Sequence, residues 1–179
     1  MSSNNKNDAQ NFQVPDPIQL IEEEQAILLA LCDRLEEIAD GLPDNLSPFR
    51  LKVVAQELRT TIPRLHHQME KLLFPKLKKR ALPDDGIDEL IAGFEHEHAM
   101  DDGYVLGVLE ILDQLAIGPV SDTRSLEYYE AVGYQLRGFF EAMRRHLRWQ
   151  RFIVLRLARQ RLRDEDLIEL KTQISTEGS

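Results

Sequence analysis

The chain is expected to fold as an all-α, up-down-up-down bundle of four helices, with a short extra helix at its C-terminal end. Apolar residues recur at steps of three and four through four long segments, the period of a helix with one buried face. Short clusters of Gly, Pro, Asp and Ser separate those segments. No stretch of any length alternates with the period of two that a strand requires, and there is no internal repeat. With 179 residues, 42% hydrophobic and 30% charged, the chain suits one domain around one core.

Residues 1–13 are polar and read as a disordered tail, residues 14–173 as the bundle, and residues 174–179 as a flexible end. Asp16 before Pro17 marks the first helix start, a capping carboxylate followed by a proline in the first turn. Its stripe runs Ile18, Ile21, Gln25, Leu28, Cys32 and Leu35, and Gly41, Leu42 and Pro43 end it. Ser47 before Pro48 opens the second helix, whose stripe is Leu51, Val54, Leu58, Ile62, His66, Glu70, Leu73 and Leu77. Pro63 and Pro75 lie inside this stripe and are expected to bend the helix without ending it, because the stripe continues past both.

After the turn ALPDDG, the third stripe runs Ile87, Leu90, Phe94, His98, Asp102, Val105, Leu109 and Leu112. IGPVSD is the next turn, and the fourth stripe runs Leu136, Phe139, Met143, His146, Gln150, Ile153 and Leu157. DEDLIELKTQIS is read as the additional short helix.

Polar residues on buried stripes are costly without partners, so they are expected to meet. Counted from the shared turns at about 1.5 Å per residue, Gln25 stands level with His66, and Glu70 level with His98. One layer would then hold Gln25, His66, Glu70, His98, Asp102, His146 and Gln150. A lone histidine on an apolar face is ordinarily a core residue with one hydrogen bond. Three from different helices beside a carboxylate are donors suited to iron, zinc or manganese. His66 with Glu70, His98 with Asp102, and His146 with Gln150 are each spaced to reach one centre from one helix.

Other function classes find less support. The net charge of -9 disfavours nucleic acid. No apolar run is long enough to cross a membrane, and MSSNNKNDAQNFQ lacks the basic end and apolar run of a signal peptide, so the cytoplasm is the expected location. Cys32 is read as a small core residue, His96 as a surface residue, and the arginines Arg144, Arg148, Arg151 and Arg159 as partners for acids of the first helix. No phosphate loop or nucleophile constellation is present, and no residue is assigned a catalytic role.

The segments HHQMEKLLFPKLKKR (66–80), EHAMD (97–101), RRHLRWQRFIVLRLARQ (144–160) and LCDRLEEIADGL (31–42) resemble the hemerythrin-like proteins, the HHE cation-binding domain family. The resemblance covers most of the chain, from about Pro17 to Leu170. It implies a four-helix bundle around non-haem iron, and a role in oxygen binding, oxygen or redox sensing, iron handling or nitric oxide response. His66, Glu70, His98 and His146 match the family's ligand positions. Gln25 and Gln150 stand where the family has a histidine and a carboxylate, and His67 stands where some members have an acidic residue. A neutral amide is a weak iron ligand, so the expectation is one ion held by His66, Glu70, His98 and His146, with Asp102 as a further candidate. The partners implied are the metal ion and a small diatomic ligand. A metal-free bundle acting as an interaction or regulatory module remains the alternative, and a protein partner or homo-oligomer stays open.

Overall fold

The computed structural model describes residues 16–117 and 125–177. The expected N-terminal tail and most of the turn IGPVSD lie outside the described residues. Helix α1 spans Pro17–Asp40, and Asp16 Oδ1 accepts from Ile18 N at 3.0 Å, the cap that its sequence announces. Helix α2 opens at Pro48 with Ser47 Oγ accepting from Arg50 N. It runs as α-helix over Pro48–His67, widens into a π-helical turn over Gln68–Leu73, and returns to α-helix over Phe74–Arg80. The helix thus continues through both prolines, as the stripe predicts. Pro75, having no N–H, stands in the first turn of the α-helix that resumes after the widened turn.

Leu82 to Gly86 turns the chain, with one 3-10 turn over Pro83–Asp85 and Gly86 in the left-handed region at φ 57°. Helix α3 then spans Ile87–Ala116. Helix α4 is α-helical over Leu126–Trp149, π-helical over Gln150–Leu155 and α-helical over Arg156–Arg161. Helix α5, Asp164–Glu177, is the expected additional helix and extends past position 173, where the sequence places the end of the bundle. Among the described residues there is no strand, and no helix is long and apolar enough to cross a membrane.

Helix α1 packs against α2 and α4, and α2 against α3, while α3 and α4 close the ring more loosely. Leu28, Leu58, Ile62, Leu112, Leu136 and Phe140 fill the centre. Two stripe readings need correction. The fourth stripe does not pass through Ile153: Ile153 is exposed and Val154 and Ala158 are buried, while Leu157 is partly buried against the core. The π turn over Gln150–Leu155 holds one residue more than an α turn, which advances the seam by one residue, or about 100°. On α3 the buried acid is Asp101, and Asp102 is exposed.

Ion pairs tie α4 to α1 along its length: Arg159 to Glu22 at 2.8 Å, Arg151 to Glu22 at 3.6 Å, Arg144 to Asp33 and Glu36 at 2.6 Å, and Arg137 to Asp40. This is the pairing expected of Arg144, Arg151 and Arg159; Arg148 is exposed and forms none of these pairs, and Arg137 joins the set. Helix α5 packs on α1 and on the π turn of α2, burying Leu170. Arg80 meets Asp166 through two hydrogen bonds, at 2.7 and 3.1 Å, and also pairs with Glu165. The Arg80 guanidinium holds the Asp166 carboxyl below its ordinary pKa. Asp166→Ala removes the fork that clamps α5 to the end of α2. Amide exchange in α5 is expected to accelerate well before exchange in α1 to α4, and equal protection of α5 in parent and variant would contradict this account.

Candidate metal centre

Each imidazole in the bundle interior has one nitrogen on a carboxylate. His66 Nδ1 lies 3.1 Å from Asp102 Oδ1, His98 Nδ1 2.9 Å from Glu70 Oε1, and His146 Nδ1 2.6 Å from Glu97 Oε2. Ionised carboxylates only accept, so Nδ1 carries the proton on all three rings, and Nε2 is left as a lone pair. Two of those lone pairs meet the same group. The Gln150 amide nitrogen lies 2.7 Å from His98 Nε2 and 2.6 Å from His146 Nε2, one N–H for each ring. Gln150 Oε1 in turn accepts from Gln25 Nε2 at 3.0 Å.

The layer is compact and dry. His98 is 1% exposed and Gln150 0%. The His66 and His98 rings stack at 4.1 Å between centroids and 14° between planes, Phe74 lies parallel to His98, and Phe94 meets His146 edge-on. Burial lowers the pKa of His66, and burial together with the neighbouring His66 and His146 lowers that of His98 to about 2, so both rings are neutral near pH 7.

Of the residues singled out in the sequence, Gln25, His66, Glu70, His98, His146 and Gln150 do come together. Asp102 is not inside the layer; its largely exposed side chain reaches His66 from the rim. His67 points outward, as does His96. Cys32 is buried, and burial pushes its thiol up to about 12, in keeping with a core residue.

The stripe reading missed Glu97, which holds His146, and Asp101, which is buried beside it with Oδ2 3.9 Å from His146 Nδ1. The steps from Phe94 to His98 to Val105 are served equally by position 101 or 102, so spacing alone did not separate the two acids.

Among the described residues no group of three or more His, Cys, Asp or Glu is arranged as a ready metal site. The carboxylates stand on the Nδ1 edges, and an amide occupies the point on which the His98 and His146 lone pairs converge. The donor set nevertheless suits one cation: neutral imidazoles oriented by carboxylates on their far nitrogens are what a metal-bound histidine needs. Gln25 Oε1 is buried without a hydrogen-bond partner, an orphaned acceptor at a cost of about 1–3 kcal/mol. A pair of ferric ions is not suited, since no carboxylate lies between the rings to balance the charge.

The titrations oppose one another. Neutral His66 and His98 contribute stability that is complete above the unfolded histidine value of about 6.5 and is lost as pH falls below it. Burial raises Asp101 to about 6, so its contribution is present below the unfolded value of about 3.8 and is lost as pH rises through about 6. Asp101→Asn removes only the second effect. In metal-free protein the variant is expected to melt above the parent at pH 7 and to lose that advantage at pH 4, as thermal unfolding at the two values will show.

Searches among curated proteins and among solved structures return no significant match. The family model for the hemerythrin HHE cation-binding domain matches residues 16–158, which takes in α1 to α3, nearly all of α4 and every residue of the layer. The chain therefore belongs to the hemerythrin HHE cation-binding domain family.

Proposed function

We propose that the chain is a hemerythrin-like protein that binds one metal ion, non-haem iron before zinc or manganese, within its imidazole layer. The observation that carries this reading is the convergence of His98 Nε2 and His146 Nε2 on one point, with each ring held by a carboxylate on its other nitrogen. His98 and His146 would hold the ion, with His66 as a further donor of the same layer and Glu70 able to join them only by leaving His98 Nδ1. Iron supplies redox chemistry and affinity for small diatomic ligands there, which suits oxygen, redox or nitric oxide response, or iron handling, in the cytoplasm.

The chain's own residues set the conditions. Glu70, Glu97 and Asp102 fix ring orientation and proton position at Nδ1. Phe74 and Phe94 pack against His98 and His146 and keep water from them. Gln150 has to withdraw its amide before an ion can take both lone pairs.

A second reading rests on that same amide. Gln150 already satisfies both rings and links them to Gln25, so a metal-free bundle serving as an interaction or regulatory module is chemically complete around His98 and His146.

Two measurements separate the readings. Elemental analysis of protein expressed with iron supplied is expected to give one ion per chain, lost in His98→Ala and His146→Ala; no metal above background in the parent would sink the first reading. Gln150→Ala frees both lone pairs. If the ion is physiological, the variant binds it more tightly and recovers stability on loading, by about 2.7 kcal/mol at a hundredfold excess over Kd. If the layer is metal-free, the variant loses about 1–3 kcal/mol or more in unfolding experiments for each ring nitrogen left unsatisfied, and metal does not restore it.

A further inference from the structure

The loose closure between α3 and α4 leaves a cleft of about 710 Å³. That volume falls in the range of roughly 300–1,000 Å³ common to small-molecule sites. The cleft exists because the facing positions lack side chains: a Cβ added at Gly103, Gly107 or Gly138 meets nothing within 4 Å. Each glycine costs a helix roughly 1 kcal/mol relative to alanine, so three of them along one groove keep it open at a price in stability. Val108, Ile111, Val132 and Phe139 give the cleft apolar walls.

Its polar end is specific. Asp101 lines the cleft and is 8% exposed, and its Oδ2 is buried with no hydrogen-bond partner. Such an oxygen calls for a donor. The ionisable groups of the lining besides tyrosine are Asp101, Glu110 and Arg145, a net negative set. Tyr104, exposed at the same end, adds an aromatic face suited to a cation. A smaller chamber of about 170 Å³ shares Asp101, Tyr104, Ala142 and Arg145 with the cleft and reaches His146.

We propose that the α3–α4 cleft is a binding site for a small organic amine, its ammonium group meeting the Asp101 carboxylate at the polar end and its aromatic or aliphatic body lying along the glycine-lined wall. The cleft borders the imidazole layer at Asp101 but needs no metal. Its failure and the failure of the cation reading are therefore separable.

The test uses the full chain, isotopically labelled and freed of metal by chelator, titrated with 2-phenylethylamine and observed by amide NMR. Saturable shifts are expected for residues of α3 and α4 that line the cleft, with an affinity in the roughly millimolar range of so small a ligand. 3-Phenylpropionate, similar in size and opposite in charge, is expected to bind more weakly. Asp101→Asn is expected to weaken the amine by about tenfold or more, through loss of a charge-assisted hydrogen bond. Gly107→Leu fills the groove and is expected to abolish binding while leaving the melting temperature unchanged or raised. Absence of saturable shifts, equal binding of the carboxylate, or an Asp101→Asn variant that binds as the parent does would each overturn the proposal. So would shifts that track protein concentration in place of amine, which would assign the cleft to a second copy of the chain.

Discussion

An imidazole placed inside an apolar bundle has two nitrogens to satisfy and must do so without carrying charge. His66, His98 and His146 meet this constraint from two sides. Carboxylates at the edge of the layer accept hydrogen bonds from Nδ1–H, and for His98 and His146 an amide from α4 supplies the opposite partner. The edge acids come from α2 and α3, the inner amide from α4, and its own support, Gln25, from α1. The spacing and register of all four helices therefore answer to this layer. A slip of one helix by a single residue would leave a buried polar atom without a partner.

The two π turns belong to the same constraint. Each begins at or within two residues of a layer position, after His66 in α2 and at Gln150 in α4. A straight α-helix brings residues four apart to nearby but rotated positions. The extra residue in a π turn alters that rotation and re-aims the side chains beyond it. In α2 the turn also gives α5 a surface to pack on. Local irregularity in the backbone thus serves both the polar layer and the attachment of the last helix.

Much of this was legible in the sequence. The period of apolar residues marked four helices, the pairs Asp16–Pro17 and Ser47–Pro48 marked two starts, and the polar interruptions of the stripes named six residues that do meet. The features that stayed hidden did so for physical reasons. A π turn has no composition of its own, so the shift from Ile153 to Val154 could not be read from spacing. Asp101 and Asp102 fit the helical period equally well, and Glu97 is an exposed residue whose role depends on a ring carried by another helix. The amides at positions 25 and 150 were identifiable as departures, but their contact with each other and with two imidazoles depends on side-chain geometry.

The ladder of ion pairs between α1 and α4 joins the earliest helix of the chain to the latest of the bundle, in strict antiparallel order from Glu22–Arg159 to Asp40–Arg137. On a ribosome, α1 emerges long before its acidic edge has anything to meet. Until α4 is made, Gln25 has no Gln150 to face. Although most contacts in the helices are local, the polar layer closes only once α4 has been synthesised.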